Sequence, residues 1–128
     1  MSILDTHVLL WFLDNNPKLP KSIKERIENT KYVLVSIASI WEISIKFNIG
    51  KLKLTTSLET IRVNMVNLNI QELPITFEDT ITYASLPLTS EHRDPFDRIL
   101  VAQAMNRSLV LVSADKKFDA YPIKRLWL

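Results

Sequence analysis

Apolar residues along this chain alternate between short compact runs and stretches spaced three or four apart. Ile3-Leu4 start a short strand that stops at Asp5-Thr6, and Val8 to Leu13 reads as a brief helix. Asn15-Asn16-Pro17 breaks the pattern. Pro20 falls in the first turn of a helix running to about Asn29, with Ile23 and Ile27 four apart. Val33-Leu34-Val35 reads as the second strand. From Ile37 to Asn48, Ile37, Trp41 and Ile45 share a helical face, and Gly50 follows where a left-handed C-cap belongs. Ser57 caps a further helix with Leu58, Ile61, Met65 and Leu68 on its apolar side. Glu72-Leu73-Pro74-Ile75 reads as a short strand, Phe77 to Ser85 as a helix, and Pro87 to Arg93 as a polar loop. Asp94-Pro95 opens a helix through about Asn106. The strongest strand, Leu109-Val110-Leu111-Val112, follows it. Asp115 to Phe118 makes a short helical turn, and Ile123 to Leu128 a final strand.

Strands alternating with helices imply βαβ crossovers. The expected fold is therefore α/β, a three-layer α/β/α sandwich with a mainly parallel central sheet. With 128 residues and no repeat or linker, residues 1–128 read as one domain.

Composition narrows the chemistry. The chain is 47% hydrophobic and 23% charged, as ordinary globular proteins are. Sixteen Lys and Arg against fourteen Asp and Glu leave a net charge of only +2, so a phosphate-binding role must rest on local charge. With no cysteine, disulfides, thiolate zinc sites and cysteine nucleophiles are excluded. Only two histidines, His7 and His92, are present, so a metal would be held by oxygen, as Mg²⁺ or Mn²⁺ is. No signal peptide is visible, and no run approaches the ~18 apolar residues of a membrane span. The expectation is a cytoplasmic protein that does not engage a membrane.

In an open parallel sheet, ligands bind beyond the carboxyl ends of the strands. Asp5 directly follows the first strand, and Asp115 follows the Leu109–Val112 strand after Ser113-Ala114. Glu42 lies in the first half of the helix after the second strand, and Asp97 in the first turn of the helix leading to the Leu109 strand. All four can project toward one edge. Converging carboxylates repel unless a cation intervenes, and phosphoryl-transfer sites use such clusters to hold divalent ions.

Simpler roles compete. Asp94-Pro95-Phe96-Asp97 is a good helix start, and for Asp94 capping is preferred to metal binding. Ser39-x-x-Glu42 resembles a capping box, and Glu42 can also pair with Lys46. Asp5 and Asp115 can each cap the short helix that follows. Thr6 and Ser113 can support the acids by hydrogen bonds or serve only as turn residues, the latter slightly preferred. His92 and Arg93 can touch phosphate or belong to a solvated loop, and the loop is the commoner case. Arg98, Lys116 and Lys117 lie beside the acids and make the local balance less negative. Trp11 and Trp41 read as core.

Four segments together carry a resemblance: Leu4-Asp5-Thr6-His7-Val8-Leu9-Leu10-Trp11, Ser39-Ile40-Trp41-Glu42-Ile43, His92-Arg93-Asp94-Pro95-Phe96-Asp97-Arg98 and Val112-Ser113-Ala114-Asp115. In this order and spacing they resemble PIN domains, and more narrowly the VapC-type toxins of toxin–antitoxin pairs. The resemblance spans essentially the whole chain. It implies a Mg²⁺- or Mn²⁺-dependent endoribonuclease, silenced by a cognate antitoxin and often homodimeric. It also implies that Asp5, Glu42, Asp97 and Asp115 form the acidic metal-binding quartet, with Asp94 as an additional position of the Asp-Pro-Phe-Asp-Arg subgroup. A haloacid-dehalogenase-like phosphatase wants a second Asp two residues after the first, where this chain has His7. A receiver domain wants adjacent acids after the first strand, where Asp5 stands alone. The remaining alternative is a catalytically inactive PIN-like module that binds RNA or protein.

Overall fold

A computed structural model describes residues 1–89 and 91–128. Its centre is a five-stranded sheet, all parallel, in the order β3-β2-β1-β4-β5. The strands are β1 (Ser2–Leu4), β2 (Val33–Ser36), β3 (Ile70–Leu73), β4 (Val110–Val112) and β5 (Lys124–Leu126). Between them run α1 (Thr6–Leu13), α2 (Lys21–Glu28), α3 (Ile37–Asn48), α4 (Leu58–Asn67), α5 (Phe77–Ala84) and α6 (Pro95–Arg107). A short 3-10 turn (Lys116–Ala120) precedes β5.

The pleat sends successive strand residues to opposite faces, and this divides the core in two. Leu4, Val33, Val35 and Val112 pack under Val8 and Leu9 of α1, Ile23 and Ile27 of α2, and Ile61 and Met65 of α4. Ile3, Leu34 and Leu111 face Leu100, Val101 and Ala104 of α6, with Phe118 and Tyr121. The result is the expected α/β/α sandwich. Helix α5 docks on α6 through Asp79, a buried carboxylate gripped by Arg107 at 2.7 and 3.0 Å and by Asn106 at 2.9 Å. These partners hold its carboxyl far below the usual carboxylate range despite burial.

Several sequence expectations shift. The third strand is Ile70–Leu73 rather than 72–75, because Pro74 has no N–H to give the ladder and the buried ends are Ile70 and Leu73. The final strand is shorter than 123–128. Ser36, not Ser39, caps α3, accepting from Ala38 N at 3.1 Å, and the Ser39 hydroxyl is buried without a partner. Trp41 is no core residue: it is 60% exposed, its ring in a T-shaped contact with Phe96. Trp11 packs partly on the core, as expected. Gly50 takes φ +77° beyond the end of α3, as the left-handed cap requires. Of the expected polar loop 87–93, Ser90 lies outside the described residues.

The chain builds β1, β2 and β3 outward in one direction, then returns to place β4 on the other side of β1. The carboxyl ends of β1 and β4 therefore flank a topological switch point, where a parallel sheet leaves a crevice. Leu4 pairs with Val112 at this end, and Asp5 N donates to Val112 O at 3.0 Å.

Candidate active site

The crevice is a cleft of about 400 Å³ lined by Asp5, Glu42, Asp94, Asp97 and Asp115, with His7, Val8, Trp11, Lys46 and Ala114. All four sequence-nominated acids thus share one cleft, together with Asp94. Each is delivered by a different element. Asp5 ends β1 and caps α1, accepting from Thr6 N at 2.8 Å. Glu42 comes from the second turn of α3. Asp97 lies in the first turn of α6. Asp115 caps the 3-10 turn after β4, accepting from Lys117 N at 2.9 Å. For Asp5 and Asp115, capping and facing the cleft are therefore one arrangement and not competing ones.

Neighbouring hydroxyls fix the buried acids. Ser113 Oγ donates to Asp5 Oδ2 at 2.7 Å, and Thr6 Oγ1 donates to Glu42 Oε1 at 2.7 Å. The preference for turn chemistry alone at these two positions does not hold. Lys46 Nζ donates to the other Glu42 oxygen at 3.0 Å. Asp94 caps α6, accepting from Phe96 N at 2.8 Å and Asp97 N at 3.3 Å.

His92 is not part of a solvated loop: it is 3% exposed. Its Nε2 lies 3.2 Å from Asp97 Oδ2, and its Nδ1 lies 3.0 Å from the Tyr121 hydroxyl. Nitrogen and oxygen atoms of His92, Asp97 and Asp115 come within 4.8 Å of one another. Arg98 does not line the cleft. It is buried, and its guanidinium is spent on Tyr121 Oη and the carbonyls of Pro87 and Leu86. Arg93 is exposed, with Nε on Thr89 O at 3.3 Å.

Crowding of like charges is written in the acidities. Burial, followed by the charges of Asp5, Asp94, Glu42 and Asp115, pushes the Asp97 carboxyl up to about 8. Burial also raises Asp5, although Ser113 and Thr6 N partly offset it. Burial lowers His92, against the pull of Asp115 and with the push of Arg98. A carboxyl whose ionisation is disfavoured by burial and by neighbouring acids marks a place where a cation would be stabilising. The donors facing the cleft are carboxylate oxygens, which suit a hard divalent ion such as Mg²⁺ or Mn²⁺. The residues fit such an ion.

Composition and strand-end logic found the acids but missed His7 and Lys46 as lining and Tyr121 as the support of His92. Lys46 had a signal, its four-residue spacing from Glu42. Tyr121 had none, since its position follows from how the chain returns after β4.

Among the described residues no helix is long and apolar enough to cross a membrane. No curated protein is significantly similar to the chain. Solved structures do share its fold. VapBC from Salmonella typhimurium, in a DNA-bound crystal structure, is 21% identical, with 98% of each chain covered and a TM-score of 0.70. FitAcB from Neisseria gonorrhoeae is 17% identical, with 99% of this chain and 97% of that one covered and a TM-score of 0.66. VapBC2 from Rickettsia felis, bound to a DNA fragment from its promoter, is 14% identical over 98% and 96%, with a TM-score of 0.65. At such identities the likeness speaks for the fold. The PIN domain family model matches residues 2–124, so nearly the whole sequence, and not the sandwich alone, answers to one pattern. The chain belongs to the PIN domain family.

Proposed function

We propose that this chain is a Mg²⁺- or Mn²⁺-dependent endoribonuclease, the toxin of a toxin–antitoxin pair. One observation carries the reading: acids from four separate segments line one cleft, where burial and then their mutual charge raise Asp97 to about 8. A cluster serving only as helix caps has no need of such crowding.

Asp5, Glu42 and Asp97 would hold the cation, with Asp115 completing the set. A bound divalent ion supplies charge neutralisation at a scissile phosphate and acidifies the water that cleaves it. The chain's own part is positional. Ser113 and Thr6 keep Asp5 and Glu42 aimed into the cleft, and His7 and Lys46 offer donors to a phosphate oxygen. Lys46 also neutralises Glu42 before any cation arrives.

The antitoxin partner is inferred from neighbours described as VapBC and FitAB assemblies. A homodimer belongs to the same reading, and exposed apolar side chains such as Trp41, Phe77, Ile81 and Leu88 leave surface for partners. An enzyme acting on RNA would work in the cytoplasm.

Purified protein incubated with total RNA should cleave it in Mg²⁺ or Mn²⁺ and not in EDTA. Asp5→Asn should slow cleavage by on the order of 10²-fold or more while the fold persists. Cleavage undiminished in EDTA, or by Asp5→Asn, would falsify the assignment. RNA binding without cleavage would favour an inactive binding module.

A further inference from the structure

The buried row Arg98–Tyr121–His92–Asp97 has a direction. A guanidinium can only donate, so Tyr121 Oη accepts from Arg98 Nη1 at 3.0 Å. The Tyr121 hydroxyl proton is buried and needs an acceptor of its own. Among the described residues, the remaining partner of that hydroxyl is His92 Nδ1, at 3.0 Å. A neutral imidazole that accepts at Nδ1 carries its proton on Nε2, which faces Asp97 Oδ2 at 3.2 Å. Among the described residues this is the one hydrogen-bond partner of the Asp97 carboxylate. The His92 ring packs against Phe118 in a T-shaped arrangement, with centroids 5.0 Å apart.

We propose that His92 is a positioning residue: locked as the Nε2–H tautomer by Tyr121 and Arg98, it donates to Asp97 and aims that carboxylate at the cation without ligating the cation itself. A protonated Nε2 has no lone pair to give a metal. This holds although His92, Asp97 and Asp115 lie close enough to suggest a three-residue site. Donors of this kind raise the order of a ligating carboxylate and strengthen metal binding. The inference rests on the reading of Asp97 as a metal ligand.

Long-range ¹H–¹⁵N NMR of the histidines in Mg²⁺-loaded protein tests it without any variant. The expected signature is a protonated Nε2 and a bare Nδ1 at His92. A bare or metal-shifted Nε2 overturns the proposal. Mn²⁺ titration calorimetry supplies the second readout. His92→Phe should weaken binding about 10- to 100-fold, as losing such a partner typically does. Tyr121→Phe should weaken it less, in the same direction. His92→Gln, which keeps an amide donor, should recover part of the loss. Parent-like affinity in His92→Phe, or no recovery in His92→Gln, also overturns the proposal. Asp97→Asn separates the two readings. If it binds Mn²⁺ like the parent, the ligand assignment fails whatever the tautomer; if it loses binding while His92→Phe does not, only the positioning role fails.

Discussion

Ser113 Oγ donates to Asp5 Oδ2 at 2.7 Å, joining residues 108 apart in sequence. The same oxygen accepts from Asp115 N at 3.0 Å, so one hydroxyl ties two of the acids together. Removing it in Ser113→Ala should raise the Asp5 pKa further and loosen Asp115. Mg²⁺ affinity should fall about tenfold, with an unchanged circular dichroism spectrum. Calorimetric titration measures this, and equal affinity would show the bond to be incidental.

Asp97→Asn should act in opposite directions on stability and activity. Its neutral amide cannot be repelled by Asp5, Asp94, Glu42 and Asp115. At pH 8 without divalent ions the variant should be more stable than the parent, by about 2 kcal/mol in urea unfolding. RNA cleavage should be lost.

The same shift sets a pH dependence. The Asp97 carboxyl rises from an ordinary value of 3.8 to about 8 on folding. The folded state thus holds the proton more tightly than the unfolded chain. This contribution to stability is fully present below about pH 4 and is lost as pH rises toward 8. On the proposed function Mg²⁺ would replace the proton, so its stabilising effect should be small at pH 5 and large at pH 8. Melting curves with and without Mg²⁺ at both pH values check this; an equal rise at each pH would contradict it.

Arg107→Ala should strand Asp79, which is 0% exposed, beneath α5. Breaking a buried ion pair from one side should cost about 3 kcal/mol or more. Asp79 is shifted downward, so its contribution is present above the usual carboxylate pKa and lost as pH falls through the lowered folded value. The variant should lose part of that acid sensitivity. Cleavage by the folded fraction should match the parent, since Arg107 does not line the cleft.

Much of the fold is legible in the sequence alone. Period and punctuation located β1, β2, β4 and every helix, because apolar spacing, Pro and Gly act locally. Strand ends nominated Asp5, Glu42, Asp97 and Asp115, because parallel sheets put binding crevices there. Properties set by packing were not legible. The β3 register depended on which of Ile70 and Ile75 reached the core, and Ile70 is 4% exposed where Ile75 is 38%. Trp41 is apolar yet faces outward, since the α3 face toward the core is filled by Ala38 and Ile43. Arg98 and His92 stand next to acids in sequence, but only the route of the loop before α6 turns one away and the other inward.

The return of the chain to β1 after three outward strands also orders events in time. In chain order Asp5, Glu42 and Asp97 all precede β4, the strand that pairs with β1 and brings in Ser113 and Asp115. Until then the first acid has no hydroxyl clamp and the crevice lacks one wall. The cleft is therefore complete only once the segment from β4 onward has been added, since Ala114 and Asp115 form part of its lining.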